Sequence, residues 1–451
     1  MKKLLFTGMM MTALLASGAS LTENQKNILQ KKGSWQMRAF PIGFWNYTYL
    51  RFPEHLAHQQ EADVQQWSDG GFTFAMSPVF RSEKPEEIAH IKNMLNWANA
   101  RNMKMILCEP RVSNPKANQT GDPRVPFQAF LNDFRNHPGV LGTFVADEPN
   151  KARAESVFAA AKMQQEMAPE LLPFINLYPW FGAESEKIVG AEESGWEKYL
   201  NQVIEAGNLQ VLSFDHYAQL TNDDGIREHF ANLYMCRNAA GKYGIPFWVT
   251  LGCVGHWWFR EPNYDDLRWQ FNTAICSGAS GIMWFYYYSR FPEENYRPAI
   301  VDAFWETTQH YKDLRHIQRT FHRLYGDLFN RLVSQKVMFY PDGIGEFPKF
   351  VADDLIQEIT IARSSAFFHP EKFKDSIPPA VMVGEFADAD GKDYVMLVNA
   401  SQTQDIQIQV KFAPEITVFR PNWDQRLDKI SNQLNARLAP GQEIVLHLRR
   451  K

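Results

Sequence analysis

Cysteine is scarce: the 451 residues hold four, Cys108, Cys236, Cys253 and Cys276, and no two form a Cys-x-x-Cys pair. Neither a zinc cage nor a disulfide framework is indicated, and buried free thiols are expected. An excess of one charge is also lacking. Against 51 Asp and Glu stand 47 Lys and Arg, a net charge of −4, which gives no electrostatic reason to expect nucleic acid or an acidic membrane as partner. The chain has no internal repeat, no low-complexity tract and no glycine-rich phosphate turn after an early β-type run. Past the N-terminus no apolar run is long enough to cross a bilayer, so no transmembrane segment is expected. His216 and His256 have no partner at metal-ligand spacing, and neither a catalytic metal nor a cofactor is expected.

At the N-terminus Lys2 and Lys3 precede the apolar stretch 4–15 and the small residues Ala16, Ser17, Gly18, Ala19 and Ser20. That order reads as a secretory signal peptide over residues 1–20, removed near Ala19, and directs the chain to the periplasm or exterior. No cysteine lies near the cleavage site to carry a lipid anchor. Aromatic residues are abundant: 13 Trp, 16 Tyr and 33 Phe make 14% of the chain. Flat ring faces suit stacking on sugars, although any single Phe is expected to fill core.

Between about residues 42 and 284, β-type runs alternate with amphipathic helical segments. Eight runs are counted, at 41–47, 72–77, 104–109, 141–147, 173–178, 211–216, 246–251 and 281–286. Their spacing, roughly 35 residues per unit, is that of a (β/α)8 barrel of about 250 residues. Helices are expected at 85–102, 151–167, 226–243 and 265–277, where apolar residues recur every three or four positions. A doubly wound open sheet, the rival arrangement, would normally carry the missing glycine-rich turn. After a helical stretch at 298–332, runs at 381–387, 393–398, 406–410 and 444–448 are joined by Asp-Gly, Asn and Gln-rich turns, which predicts a small β-sandwich. The predicted architecture is therefore α/β, a TIM barrel over 21–332 followed by an all-β sandwich domain over 333–451.

A barrel presents its reacting groups at the carboxyl ends of its strands. The fourth run ends Phe144-Val145-Ala146-Asp147-Glu148-Pro149-Asn150, two adjacent carboxyls stopped by a proline. Strand alternation groups Glu148 with Ala146 and Phe144, and Asp147 with Val145, so one carboxyl faces the lumen unless the strand bends. Two carboxyls this close push at least one pKa upward, as a proton donor near neutrality requires. The structural alternative has Asp147 capping the next helix and Glu148 pairing with a base. On the sixth run Asp215 shares a side with Ser213 and is expected to look inward, and on the fifth Asn176 and Tyr178 turn together toward the mouth. The direction of Glu109, ending the third run, stays open. Rings gather at the same ends. Sugar sites combine ring platforms with carboxylates and amides, which makes Trp45, Asn46, Asn176, Tyr178, Trp180, Tyr217, His256, Trp257, Trp284 and Tyr286 candidate substrate-binding residues, beside catalytic candidates Glu148, Asp215 and Asp147.

With Ala146-Asp147-Glu148-Pro149 in that position, the chain resembles the glycoside hydrolases of the retaining (β/α)8 clan over roughly residues 38–330. The resemblance implies a secreted enzyme that cleaves O-glycosidic bonds of a polysaccharide or glycan, with Glu148 as acid/base, acting as a monomer or weak oligomer. The clan places a nucleophilic glutamate at the end of the seventh strand. Here that segment, Phe247-Trp248-Val249-Thr250-Leu251-Gly252-Cys253, has no carboxylate, and Glu261 comes later. Three completions stay open. Asp215 serves as nucleophile about 5 Å from Glu148, or as base for water across roughly 6.5 to 9.5 Å. Alternatively Asp147-Glu148, which is similar to the dipeptide of hexosaminidase-like enzymes, orients a substrate acetamido group that attacks instead. From another class, the missing carboxylate fits a carbohydrate-binding barrel that does no chemistry.

Overall fold

The computed structural model describes residues 20–113, 121–221, 225–289, 296–363 and 377–451; the expected signal peptide, save residue 20, lies outside them. Runs that are apolar on both faces become strands buried on both faces, as a parallel sheet requires. They are β1 Ile42–Phe44, β2 Phe74–Met76, β3 Lys104–Leu107, β4 Val140–Asp147, β5 Leu172–Leu177, β6 Leu212–Asp215, β7 Phe247–Gly252 and β8 Ile282–Phe285. All pair in parallel, in the order β1-β8-β7-β6-β5-β4-β3-β2. The last seam is bridged where the Thr73 N–H donates to the Ile42 carbonyl at 2.8 Å, so the sheet curls into a barrel. The periodic segments form helices at Pro85–Ala100, Ala154–Met167, Ile226–Lys242 and Tyr264–Cys276 around it. The final helix is shorter than its apolar pattern predicts, Gln309–Tyr325.

Side chains sort by strand parity. Leu141, Phe144, Phe174, Trp248 and Met283 fill the lumen, whereas Val145, Ile175, Leu177, Val249 and Ile282 pack outward under the helices. This is a filled core, not a pore. One strand breaks parity. β4 slips first against β3, between Val140 and Gly142, so that Leu141 and Phe144 share the lumen; its pairing with β5 slips again between Phe144 and Ala146, and Val145 and Ala146 both pack outward. That is a β-bulge, which turns every later side chain to the opposite face. Just before it, Gly142 lies so close to β5 that a Cβ would stand 2.0 Å from the Leu172 carbonyl oxygen.

The sandwich domain begins at β9 Val333–Tyr340, followed by β10 Ile356–Arg363, β11 Val381–Ala387, β12 Asp393–Asn399, β13 Ile406–Phe412, β14 Ile416–Pro421, β15 Leu427–Lys429, β16 Gln433–Leu438 and β17 Glu443–Arg450. A six-stranded sheet, β15-β14-β17-β12-β11-β9, faces a three-stranded one, β10-β13-β16. Val383, Leu397, Ile408, Val410 and Phe412 fill the space between. The outer face of the larger sheet rests on the helix Tyr264–Cys276. There the Trp269 Nε1–H donates to the Ala400 carbonyl at 2.7 Å, and the Asn272 amide donates to the Gly441 carbonyl at 2.9 Å and to Glu443 at 2.7 Å. All four cysteines are buried thiols outside any disulfide. Among the described residues no helix is long and apolar enough to cross a membrane.

Candidate active site

The bulge in β4 delivers two carboxyls to the barrel mouth, where strict alternation allows one. Asp147 returns to the lumen side, which alternation with Glu148 forbids unless the strand bends, as it does here. Glu148 then adopts φ +40°, a left-handed conformation that costs a residue with a Cβ about 1–2 kcal/mol. Its N–H is held by the Asn176 carbonyl at 2.8 Å, and Pro149 ends the strand. Tyr47 at φ +58° and Trp257 at +47° share this conformation on other loops of the mouth. Backbone held this way persists only where the surroundings fix it, and it clusters at functional sites.

Asn176 ties the acids together. Its Nδ2 donates to Asp147 Oδ1 and to Asp215 Oδ1, each at 3.1 Å, so those oxygens lie no farther apart than twice that length. The amide is oriented from beneath: Trp45 Nε1–H donates to Thr250 Oγ1 at 3.4 Å, and the Thr250 hydroxyl donates to Asn176 Oδ1 at 3.3 Å. With its oxygen occupied by a donor, only the NH2 of Asn176 faces the carboxyls. The Tyr217 hydroxyl also donates to Asp215.

Burial without a close counter-charge governs their protonation. It pushes Asp147 up to about 6, against the Asn176 bond and the more distant Arg153. Burial, and then the charge of Asp147, raises Asp215. Glu148 is driven well above the usual carboxylate range by burial, then by Asp215, then by Asp147. The group at the strand end therefore keeps its proton near neutral pH. His216 beside it is buried and neutral, pulled down to about 4.

Glu148 and Asp215 open onto a cavity of about 490 Å³, walled by Tyr178, Phe181, Tyr217, His256, Trp257 and Trp258 among others. Trp257 and Trp258 are 50% and 59% exposed, and His256 stacks on Tyr296 with centroids 5.2 Å apart. Of the expected residues, the structure thus brings together Glu148, Asp215, Tyr178, Tyr217, His256 and Trp257 on one cavity, with Asp147 and Asn176 behind it. Trp45 is buried, and stacks on Tyr47 at 5.6 Å as part of the floor. Trp180 packs its ring against the core under the helices.

Like Trp45 and Trp180, three further residues expected to touch sugar do not line the cavity, and these expectations are corrected. Trp284 lies on the outward parity of β8, wholly buried, with Nε1–H donating to Gln318 at 3.1 Å. Tyr286 is wholly buried among the rings of the lumen. Asn46 is buried as a bracket for its own loop, its amide donating to Gln59 at 3.1 Å and to the Met76 carbonyl at 3.3 Å. Glu109 turns aside to Arg111, whose Nε donates to both carboxylate oxygens at 2.9 Å. Glu261 is half exposed, 3.6 Å from His310 on the last helix, and is not a wall of the cavity. The lumen position at the end of β7 belongs instead to Thr250, a residue the sequence reading passed over although alternation with Trp248 marked it. Phe181 and Glu228 also join the wall without a sequence signal.

No protein-family model and no curated protein sequence matches this chain. Solved structures do. A β-galactosidase from Marinomonas ef1 is similar at a TM-score of 0.48 and 12% identity, over 63% of this chain and 60% of that one. The β-galactosidase of Halorubrum lacusprofundi gives 0.45 and 13%, over 63% and 58%. Xylanase 10B of Thermotoga maritima gives 0.39 and 12%, over 64% and 98%. The match thus spans less than two thirds of either β-galactosidase. A barrel hosts many unrelated reactions, so the functional argument rests on the site itself.

Proposed function

We propose that this protein is a secreted glycoside hydrolase whose barrel mouth cleaves an O-glycosidic bond. Glu148 protonates the departing oxygen, and Asp215 supplies the second carboxylate. The observation that carries this reading is the pairing of a proton-retaining glutamate with a second buried carboxyl on one ring-walled cavity. A general acid must hold its proton at working pH yet reach its target, and burial among like charges achieves the first while the turn at Glu148 achieves the second. Aromatic walls suit the apolar faces of sugar rings, and the polar groups behind them suit hydroxyls.

Asp215 lines the cavity and Asp147 does not, which favours Asp215 as nucleophile or base and gives Asp147 a positioning role. Asp147 shares the Asn176 amide with Asp215, so its charge raises the proton affinity of both reacting carboxyls. This arrangement disfavours the completion in which Asp147 touches a substrate acetamido group. The reading of a carbohydrate binder draws on one observation, the Thr250 hydroxyl where a seventh-strand carboxylate would stand.

The test is a panel of neutral and charged oligosaccharides incubated with the mature chain. New reducing ends are measured, and the first-formed anomer is read by proton NMR. Reducing ends from at least one glycan support the hydrolase, and the anomer separates a nucleophilic from a base role for Asp215. Glycan binding with no bond cleaved across the panel selects the binder.

A further inference from the structure

On the flank of the barrel, a groove of about 740 Å³ runs between the last barrel helix, Gln309–Tyr325, and the turn that follows β14. The helix buries Leu314, Ile317 and Phe321 and turns Lys312, Arg315, Arg319 and Arg323 outward, all exposed. The three arginines stand four residues apart and form one ridge. From Lys312 to Arg323 the ridge is about 16 Å long. Opposite it Trp423 presents an indole that is 58% exposed.

The arginines are held in place while their charge is left largely unspent. Arg315 Nε and Arg319 Nη1 donate to the Asp69 backbone carbonyl at 3.1 and 3.3 Å, and Arg323 Nε donates to the Trp423 carbonyl at 2.7 Å. These acceptors are neutral. The carboxylates nearby are Asp424, 3.9 Å from Arg323, Asp313, which accepts from Gln309, and Asp69, which accepts from Gln65. A stripe of oriented guanidinium groups on a chain of net charge −4 is a local departure from the mean. Guanidinium forks match the paired oxygens of carboxylate and sulfate, and an exposed indole offers a platform for a ring.

We propose that this groove is a second, non-catalytic binding site for an acidic polysaccharide, one bearing uronate or sulfate groups. The arginine ridge pairs with the acidic substituents, and Trp423 stacks beneath a sugar ring. Among the described residues no lysine or arginine walls the mouth cavity, whereas the flank offers acidic units of a glycan their counter-charge. The choice of polysaccharide over other polyanions rests on the glycosidase reading of the mouth. The groove tethers the polymer so that its cleavable units stay near the mouth at high local concentration.

Binding can be measured apart from turnover. The full mature chain carrying Glu148→Gln is titrated with alginate, dextran sulfate and unsubstituted dextran, at low and high salt, by affinity electrophoresis and calorimetry. The expected result is binding to the two charged polymers, none to dextran, and loss as salt rises. Arg315→Ala/Arg319→Ala and, separately, Lys312→Glu, whose side chain leaves the fold undisturbed, each weaken it at least tenfold. Trp423→Ala weakens alginate binding further at high salt. Unchanged affinity in the Lys312→Glu and double-arginine variants overturns the proposal. So does equal binding of dextran, or tighter binding of single-stranded DNA or anionic phospholipid vesicles than of alginate. Cleavage of a short neutral glycan by the groove variants, at the rate of the unaltered chain, shows that the mouth reading stands or falls separately.

Discussion

Replacing Asp147 with Asn tests the electrostatics of the mouth by removing one charge while keeping shape. The amide oxygen can still accept from Asn176, and the volume is nearly the same. Asp147 is raised from an ordinary 3.8 to about 6. Ionising it at neutral pH therefore costs on the order of 3 kcal/mol more in the folded chain than in the unfolded one. The sign follows: the folded aspartate binds its proton more tightly, so the native state loses stability as pH rises from about 4 to about 6, and the loss is complete above that. Asp147→Asn is expected to gain about 3 kcal/mol over the wild type at pH 7.5, and nothing at pH 3.5, where the wild-type carboxyl is protonated in both states. Urea unfolding at a series of pH values reads this directly. Removing the same charge also relieves Glu148, so the alkaline limb of the activity profile moves to lower pH. A gain that is constant across pH, or no gain at pH 7.5, would refute the claim that Asp147 is an uncompensated charge beneath the site.

Asn176→Ala deprives Asp147 and Asp215 of a shared donor; activity is expected to fall at least tenfold with the pH optimum displaced upward, checked by a pH–rate profile. Ala at position 142 sets a methyl group 2.0 Å from the Leu172 carbonyl oxygen, and the unfolding midpoint should drop by the equivalent of about 3 kcal/mol or more. Trp257→Ala and Trp258→Ala remove exposed ring platforms, so KM should rise roughly fivefold each, for about 1 kcal/mol of stacking, with little change in kcat or unfolding midpoint.

The barrel was legible because its strands are short apolar runs, each punctuated by a helical period, and the reading needed no side-chain direction. Site geometry depended on direction. Asp215 and Asn176 were placed from parity, since Ser213 and Asp215 alternate with Leu212 and Phe214. Asp147 was not, because a bulge at Val145-Ala146 leaves no mark in residues that are apolar on either count. Trp284 failed for a related reason: Ile-Met-Trp-Phe is apolar on both faces, so nothing in it separates lumen from exterior. In the sandwich, β9, β10, β14, β15 and β16 lie outside the expected runs because polar residues such as Ser334, Gln335, Glu358, Thr417, Asp428 and Asn435 break the apolar runs that β11 and β12 retain.

The proposed role of Glu148 is delivery of a proton to the leaving oxygen. It is tested most directly by Glu148→Gln on two substrates of the sugar that the enzyme accepts, one leaving as an unactivated sugar and one as a nitrophenolate. A 10²–10⁴-fold loss of kcat/KM is expected on the first and a far smaller loss on the second, which departs without being protonated. Equal losses on both substrates, or undiminished cleavage of the unactivated one, would contradict it.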